Sequence, residues 1–217
     1  MPLKVLPIGP SDIDDFVRLH YEAFRPWPAI GSCIWARDLG PESRSIHANR
    51  FRQALEDKET RMMKVVDTET GETIAAAKWA FYDHERTQEE LEKSLVVPEP
   101  VPDANPEALK AMMGMLYSAR REVMGTRPYY LLHLLVTDRK HYRRGAAGML
   151  LQWGMECADA AGLECYLEGS EMGRPLYERN GFVPIKDLPF DMSKYGGKGV
   201  NTHTCMIRQP RTPGSSA

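Results

Sequence analysis

The run "YYLLHLLVTDRKHYRRGAAGMLLQW", Tyr129 to Trp153, constrains the fold more than any other part of the sequence. It opens with a nearly continuous apolar stretch, "YYLLHLLV", the pattern of a central strand buried on both faces. Five basic or potentially basic side chains then crowd into residues 139–144, and Gly145-Ala146-Ala147-Gly148 follow. From there Leu150, Trp153, Cys157 and Ala160 are spaced as the apolar stripe of a helix that ends near Gly162. A strand that feeds a small-residue loop and then a helix puts unpaired N–H groups and the positive end of the helix dipole where a bound anion can be held.

Around this run the chain alternates strands and helices. "LKVLPI" reads as a first strand, and "SDIDDFVRLHYEAF" as a helix with Ser11 at its N-cap and Ile13, Phe16, Val17, His20 and Phe24 on one face, His20 being a packed core-edge residue. Pro26 and Pro28 end it, and "PESRSIHANRFRQALEDK" predicts a second helix. "MMKVVDTETGETIAAAKWAFY" predicts two strands joined at Gly71. An insertion at about 83–127 holds a charged piece, a proline-rich loop and a helix beginning near Pro106; it is a substrate wall or a solvated decoration. After the quoted run, "CYLEG" and "THTCMIR" predict strands and "RPLYERN" a short helix closed by Gly181. The expected organisation is one α/β (α+β) domain over 1–208, with a central mixed sheet flanked by helices and a disordered tail at 209–217.

The formal net charge of -2 makes the basic cluster a local feature, which argues against a nucleic-acid surface and for a small anionic partner. Cys33, Cys157, Cys165 and Cys205 are widely spaced without a CxxC pair, as expected of reduced thiols in a cytoplasmic protein. The histidines lack ligand spacing, so no metal is expected. The sequence has neither the apolar run of a signal peptide nor the ~20 apolar residues of a membrane span. The loop lacks the Gly-Lys-Ser/Thr of a P-loop, and GAAG is not GxGxxG.

The stretch "LHLLVTDRKHYRRGAAGMLLQWGMECADAAGLECYLEGSEMGRPLYERNGF", Leu132 to Phe182, resembles the GNAT (Gcn5-related) N-acetyltransferases, in particular their fungal members. It is similar to the family's central strand, acetyl-CoA loop and helix, next strand and terminal "lYek.GF" signature. The resemblance implies a GNAT acyltransferase fold with a six- to seven-stranded sheet, and acetyl-CoA (coenzyme A) as co-substrate. Tyr142, Arg143, Arg144, Gly145, Ala146, Ala147 and Gly148 would hold the pyrophosphate largely through main-chain amides, and Leu135, Val136 and Thr137 would offer the strand edge to the pantetheine. Tyr142 stands where relatives have Gln or Arg, and Arg139 where many have proline.

By the same resemblance Tyr177 is the acid that protonates the departing thiolate, and Ser170 bonds the cofactor or caps a turn. His133 is a candidate base; strand alternation puts its side chain in phase with Leu135 and opposite Leu134 and Val136. Asp138, Glu168 and a water chain are alternatives, and burial without a role is another reading of His133. Trp27, Trp35 and Trp79 are candidates to line an acceptor pocket. The expected activity is acetylation of a primary amine on a small molecule by a monomer or homodimer; acetylation of a protein lysine or N-terminus, or non-catalytic acyl-CoA binding, are the alternatives.

Overall fold

The computed structural model describes residues 2–24, 30–35 and 38–211. Pro26, Pro28, Trp27 and the end of the tail lie outside them. Seven strands form one sheet among the described residues: β1 (Leu3–Pro7), β2 (Thr60–Asp67), β3 (Thr73–Tyr82), β4 (Tyr129–Thr137), β5 (Cys165–Ser170), β6 (Val183–Asp191) and β7 (Val200–Arg208). Their order is β1-β2-β3-β4-β5-β7-β6, and every pairing is antiparallel except the parallel β4–β5. The helices are α1 (Ile13–Phe24), α2 (Ile30–Ile34), α3 (Pro41–Glu56), α4 (Gln88–Ser94), α5 (Pro106–Met124), α6 (Ala146–Ala161) and α7 (Arg174–Arg179).

Strand alternation divides the core. On one face Ala75, Ala77, Trp79 and Leu132 meet Leu150, Leu151 and Met155 of α6. On the other, Met62, Ala76 and Val136 meet α1 and α3, while Ala80, Tyr82, Tyr129 and Leu131 meet Leu116 and Tyr117 of α5. The helix of the insertion is therefore a layer of the core. Its start is set by Pro106 behind Asn105, whose side chain accepts from the amides of Glu107 and Ala108.

Three local expectations need correction. The first helix is entered through a short 3-10 turn, Pro10–Asp12, in which the Asp12 carboxylate accepts from the Gly9 amide at 2.8 Å, so Ser11 is not the cap. The buried face of α6 is Ala146, Leu150, Leu151, Gly154, Met155 and Ala158, with Trp153 and Cys157 at its flank. Small residues win that face because Gly154 lies on the Trp79 indole, where a Cβ would sit 2.2 Å from Cε2. Trp79 is thereby fully buried and lies outside the cavity described below.

β6 is the strand that the sequence hides. Pro184 and Pro189 interrupt it, and such residues are tolerated because β6 forms the sheet edge. In the tail, the Arg211 amide donates to Asp159 and Gln209 to Glu164.

The decisive irregularity lies in β4. Lys78 pairs with Leu134 but Trp79 pairs with Leu132, so His133 is an extra residue in a β-bulge. Leu132 and Leu135 pack on the α6 face and Leu134 and Val136 on the opposite face. Simple alternation therefore fails at His133, whose nearest charges are Arg120 of α5 and Lys78 of β3. β4 and β5 pair only at Tyr130↔Cys165 and Leu131↔Tyr166. Beyond the bulge they separate, and β5 keeps its pairing with β7 through Ser170.

Candidate active site

The opening between β4 and β5 is the middle of a cavity of about 790 Å³. Of the site residues expected from the sequence, His133, Leu135, Val136, Thr137, Tyr142 to Gly148, Ser170, Tyr177, Glu168 and Trp35 line it, while Asp138 and Trp79 do not.

At one end lies the basic loop, which is built from the strand end outward. Asp138 accepts from the Lys140 amide at 3.0 Å and from Arg18 at 3.1 Å, which fixes the turn 139–141. Burial raises the Asp138 pKa, but the Lys140 amide and the Arg18 guanidinium outweigh it, and the net shift is downward. Asp138 is thus an ionised cap engaged on two sides. Arg144 is also committed, donating to Asp67 at 2.7 Å and lying 2.7 Å from His141 Nδ1. Part of the basic cluster therefore ties the loop to the β2–β3 turn, and Arg144 can serve a ligand through its main chain. Arg143 is left-handed at φ 64°, a conformation rare outside glycine, and Gly145 has φ 87° just before α6. Left-handed residues beside a helix start aim successive N–H groups into one hollow, a form suited to phosphate oxygens. A Cβ at Gly145 or Gly148 would meet nothing within 4 Å, so the space in front of the loop is open. The residues present fit a diphosphate group.

Tyr177 stands on the other side of the opening. Gly173 and Gly169 make room for its ring: a Cβ on Gly173 would come within 2.8 Å of Tyr177 Cε2. Burial pushes its pKa up to about 12, which keeps the hydroxyl protonated across the neutral range. The Ser170 hydroxyl accepts from the Gly173 amide at 3.3 Å, a turn-capping role.

At the far end the wall is aromatic and apolar. His20, Phe24, Trp35 and His47 contact one another edge to face, and Ile34, Met112 and Leu116 continue the surface. Burial pushes the His20 and His47 pKa values down to about 3 and about 4, so both rings are neutral at pH 7. Burial, with Arg120 and Lys78, holds His133 well below the usual histidine range. The cavity also has a polar wall, in which Arg120 grips Glu168 by two bonds of 2.9 and 2.8 Å, both side chains nearly inaccessible. Asn201 and His203 of β7 complete it. Glu168 is therefore half of a buried ion pair.

His47, Arg120, Asn201 and His203 had no signal in the sequence. They come from three elements, α3, α5 and β7, and form no motif. Among the described residues no group of three or more His, Cys, Asp or Glu side chains could hold a metal, and no helix is long and apolar enough to cross a membrane.

No protein-family model matches the chain, and no curated protein matches its sequence. Solved structures do match. Histone acetyltransferase HPA2 and related acetyltransferase from Corynebacterium glutamicum has 22% identity and a TM-score of 0.60, over 99% of this chain and 100% of that one. Arylalkylamine N-acetyltransferase 2 from Aedes aegypti has 13% identity and a TM-score of 0.70, over 97% and 100%. The PaiA N-acetyltransferase from Thermoplasma acidophilum, in complex with coenzyme A, has 11% identity and a TM-score of 0.52, over 96% and 99%. The architecture is that of the GNAT acyltransferases.

Proposed function

We propose that this chain, which has the fold of the GNAT acyltransferases, is an acetyl-CoA-dependent N-acetyltransferase that moves an acetyl group to a primary amine of a small molecule by direct transfer within a ternary complex. One observation carries the proposal: a basic, left-handed loop at a helix start, a tyrosine that burial keeps protonated and an aromatic, apolar surface line a single cavity at the β4–β5 opening. That is the minimum geometry for bringing a thioester carrier and an amine to one point. The likeness to an acetyltransferase in complex with coenzyme A supports the choice of carrier.

When bound, the carrier supplies a thioester carbonyl open to attack. Amides of residues 143–147 would hold its diphosphate, and the free edge of β4 at Leu135, Val136 and Thr137 would align its amide-bearing arm. Tyr177 would give its hydroxyl proton to the departing sulfur. His133, neutral and at the bulge, would accept a proton from the amine through water, with burial first and then Arg120 and Lys78 keeping it from retaining that proton at neutral pH.

A small acceptor is favoured over a protein because α5, the aromatic cluster and Val101 line the cavity with a concave apolar surface. Titration calorimetry with acetyl-CoA, followed by thiol detection across a panel of amines and lysine peptides, tests the proposal. Heat on binding with thiol release on amines is expected. Absence of binding, or turnover on peptides alone, overturns it.

A further inference from the structure

Asn201 Oδ1 and His203 Nδ1 are buried in the wall of the cavity and have no hydrogen-bond partner among the described residues, as is also true of His47 Nε2 and Arg120 Nη1 in the same lining. Asn201 is 2% exposed and His203 is 6% exposed. Leaving such atoms unpaired is destabilising, so a native fold that retains two of them on one strand calls for a partner from outside the protein. Both lie on β7, two residues apart, on the sheet face whose next member, Cys205, packs with α5. Side chains so placed start roughly 6.6 Å apart, two strand rises, which is about twice the length of a hydrogen bond. One oxygen atom between them can bond to both.

The charges nearby limit what that atom belongs to. Glu168 is the single carboxylate of the cavity wall among the described residues, and Arg120 already holds both of its oxygens. A polycation therefore finds no free carboxylate. At this wall a carboxylate-bearing acceptor meets only Arg120, whose charge is matched by Glu168 although its Nη1 has no partner among the described residues; the other cations of the lining, Arg50, Arg143, Arg144 and Arg179, stand on other elements. Burial lowers the pKa of His203, against Glu168 and Glu171, which raise it, so the ring is neutral at pH 7. A neutral amide and a neutral imidazole suit a group that donates and accepts through one atom, and a hydroxyl does this. Phe24, Ile34, Trp35, Met112 and Leu116 of the same lining suit an apolar body of ring size.

We infer that Asn201 and His203 read a neutral hydroxyl on the acceptor, and that the acceptor is a primary monoamine with an apolar, ring-sized body carrying that hydroxyl. The inference rests on the acetyltransferase reading and adds the substrate class.

The experiment compares thiol release with tyramine, phenethylamine, tyrosine and spermidine as probes, using the full chain, Asn201→Leu and His203→Phe. In the parent, kcat/KM for tyramine should exceed that for phenethylamine by about 100-fold or more, because the analogue leaves buried polar groups unpaired. Spermidine and tyrosine should be poor acceptors. Each variant should bring the tyramine-to-phenethylamine ratio to within about 3-fold of unity, since its wall can no longer bridge a hydroxyl. The dissociation constant for acetyl-CoA should stay that of the parent. Equal rates on the two arylamines in the parent, preference for spermidine or tyrosine, or variants that slow both arylamines in proportion would each overturn the inference. A weakened acetyl-CoA affinity in the variants would assign the pair to the carrier and also overturn it. Absence of acetyl-CoA binding in the parent would instead be the failure of the acetyltransferase reading itself.

Discussion

Tyr177 shows how far a single side chain can be taken. Its ring is wedged by Gly169 and Gly173, and burial holds its pKa at about 12, above the ordinary tyrosine value of about 10. Raising the pKa favours the protonated form, so the donor stays loaded through neutral pH and is lost only as pH rises toward the shifted value. Tyr177→Phe removes the proton and little volume. General acid catalysis of this kind contributes about 10²–10⁴-fold, so kcat should fall by about that factor while the affinity for acetyl-CoA is retained. Steady-state thiol release paired with calorimetry reads the two quantities; an unchanged kcat would mean that the sulfur leaves without this proton. Tyr177 was legible because its role follows from a local signature, "RPLYERN" before Gly181-Phe182. The direction of His133 was not, since the bulge that turns it toward Arg120 and Lys78 is a property of the β3–β4 pairing.

Among the elements, α6 has the closest packing demand. A glycine inside a helix costs about 1 kcal/mol relative to alanine, so by propensity alone Gly154→Ala should stabilise the protein. A Cβ there would lie 2.2 Å from Trp79 Cε2, and overpacking of this kind costs about 1–3 kcal/mol or more, so the clash wins. Gly114, exposed on α5 with nothing within 4 Å of its Cβ position, is the control. Thermal unfolding should show Gly154→Ala melting several degrees lower and Gly114→Ala slightly higher; the same sign for both would refute the close contact. The existence of α6 and β4 was readable because apolar runs and glycine stops are local. Which stripe of α6 faces inward was not, since small residues there are chosen by an indole from β3. β6 escaped because its two prolines read as a loop, and only its edge position makes them harmless.

At the scale of the whole molecule, the loop sits where the two faces of the sheet communicate. Its backbone starts α6 on one face, while Asp138 at its root bonds Arg18 of α1 on the other. A ligand held by that loop should therefore resist unfolding of both layers together, and the gain should appear as a shift of the single global transition. At a ligand concentration of 100 times Kd, binding to the native state adds about 2.7 kcal/mol. For a chain of this size each kcal/mol moves Tm by about 2–4 °C, so acetyl-CoA should raise Tm by about 5–11 °C. Gly145→Val supplies the contrast. A β-branched residue at φ 87° distorts the loop, but its Cβ meets no neighbour, so the damage should remain local. The variant should melt within a few degrees of the parent when unliganded and show almost none of the ligand-induced rise. A full rise in the variant would mean that the carrier is gripped elsewhere, and a split transition in the parent would mean that the loop does not join the layers.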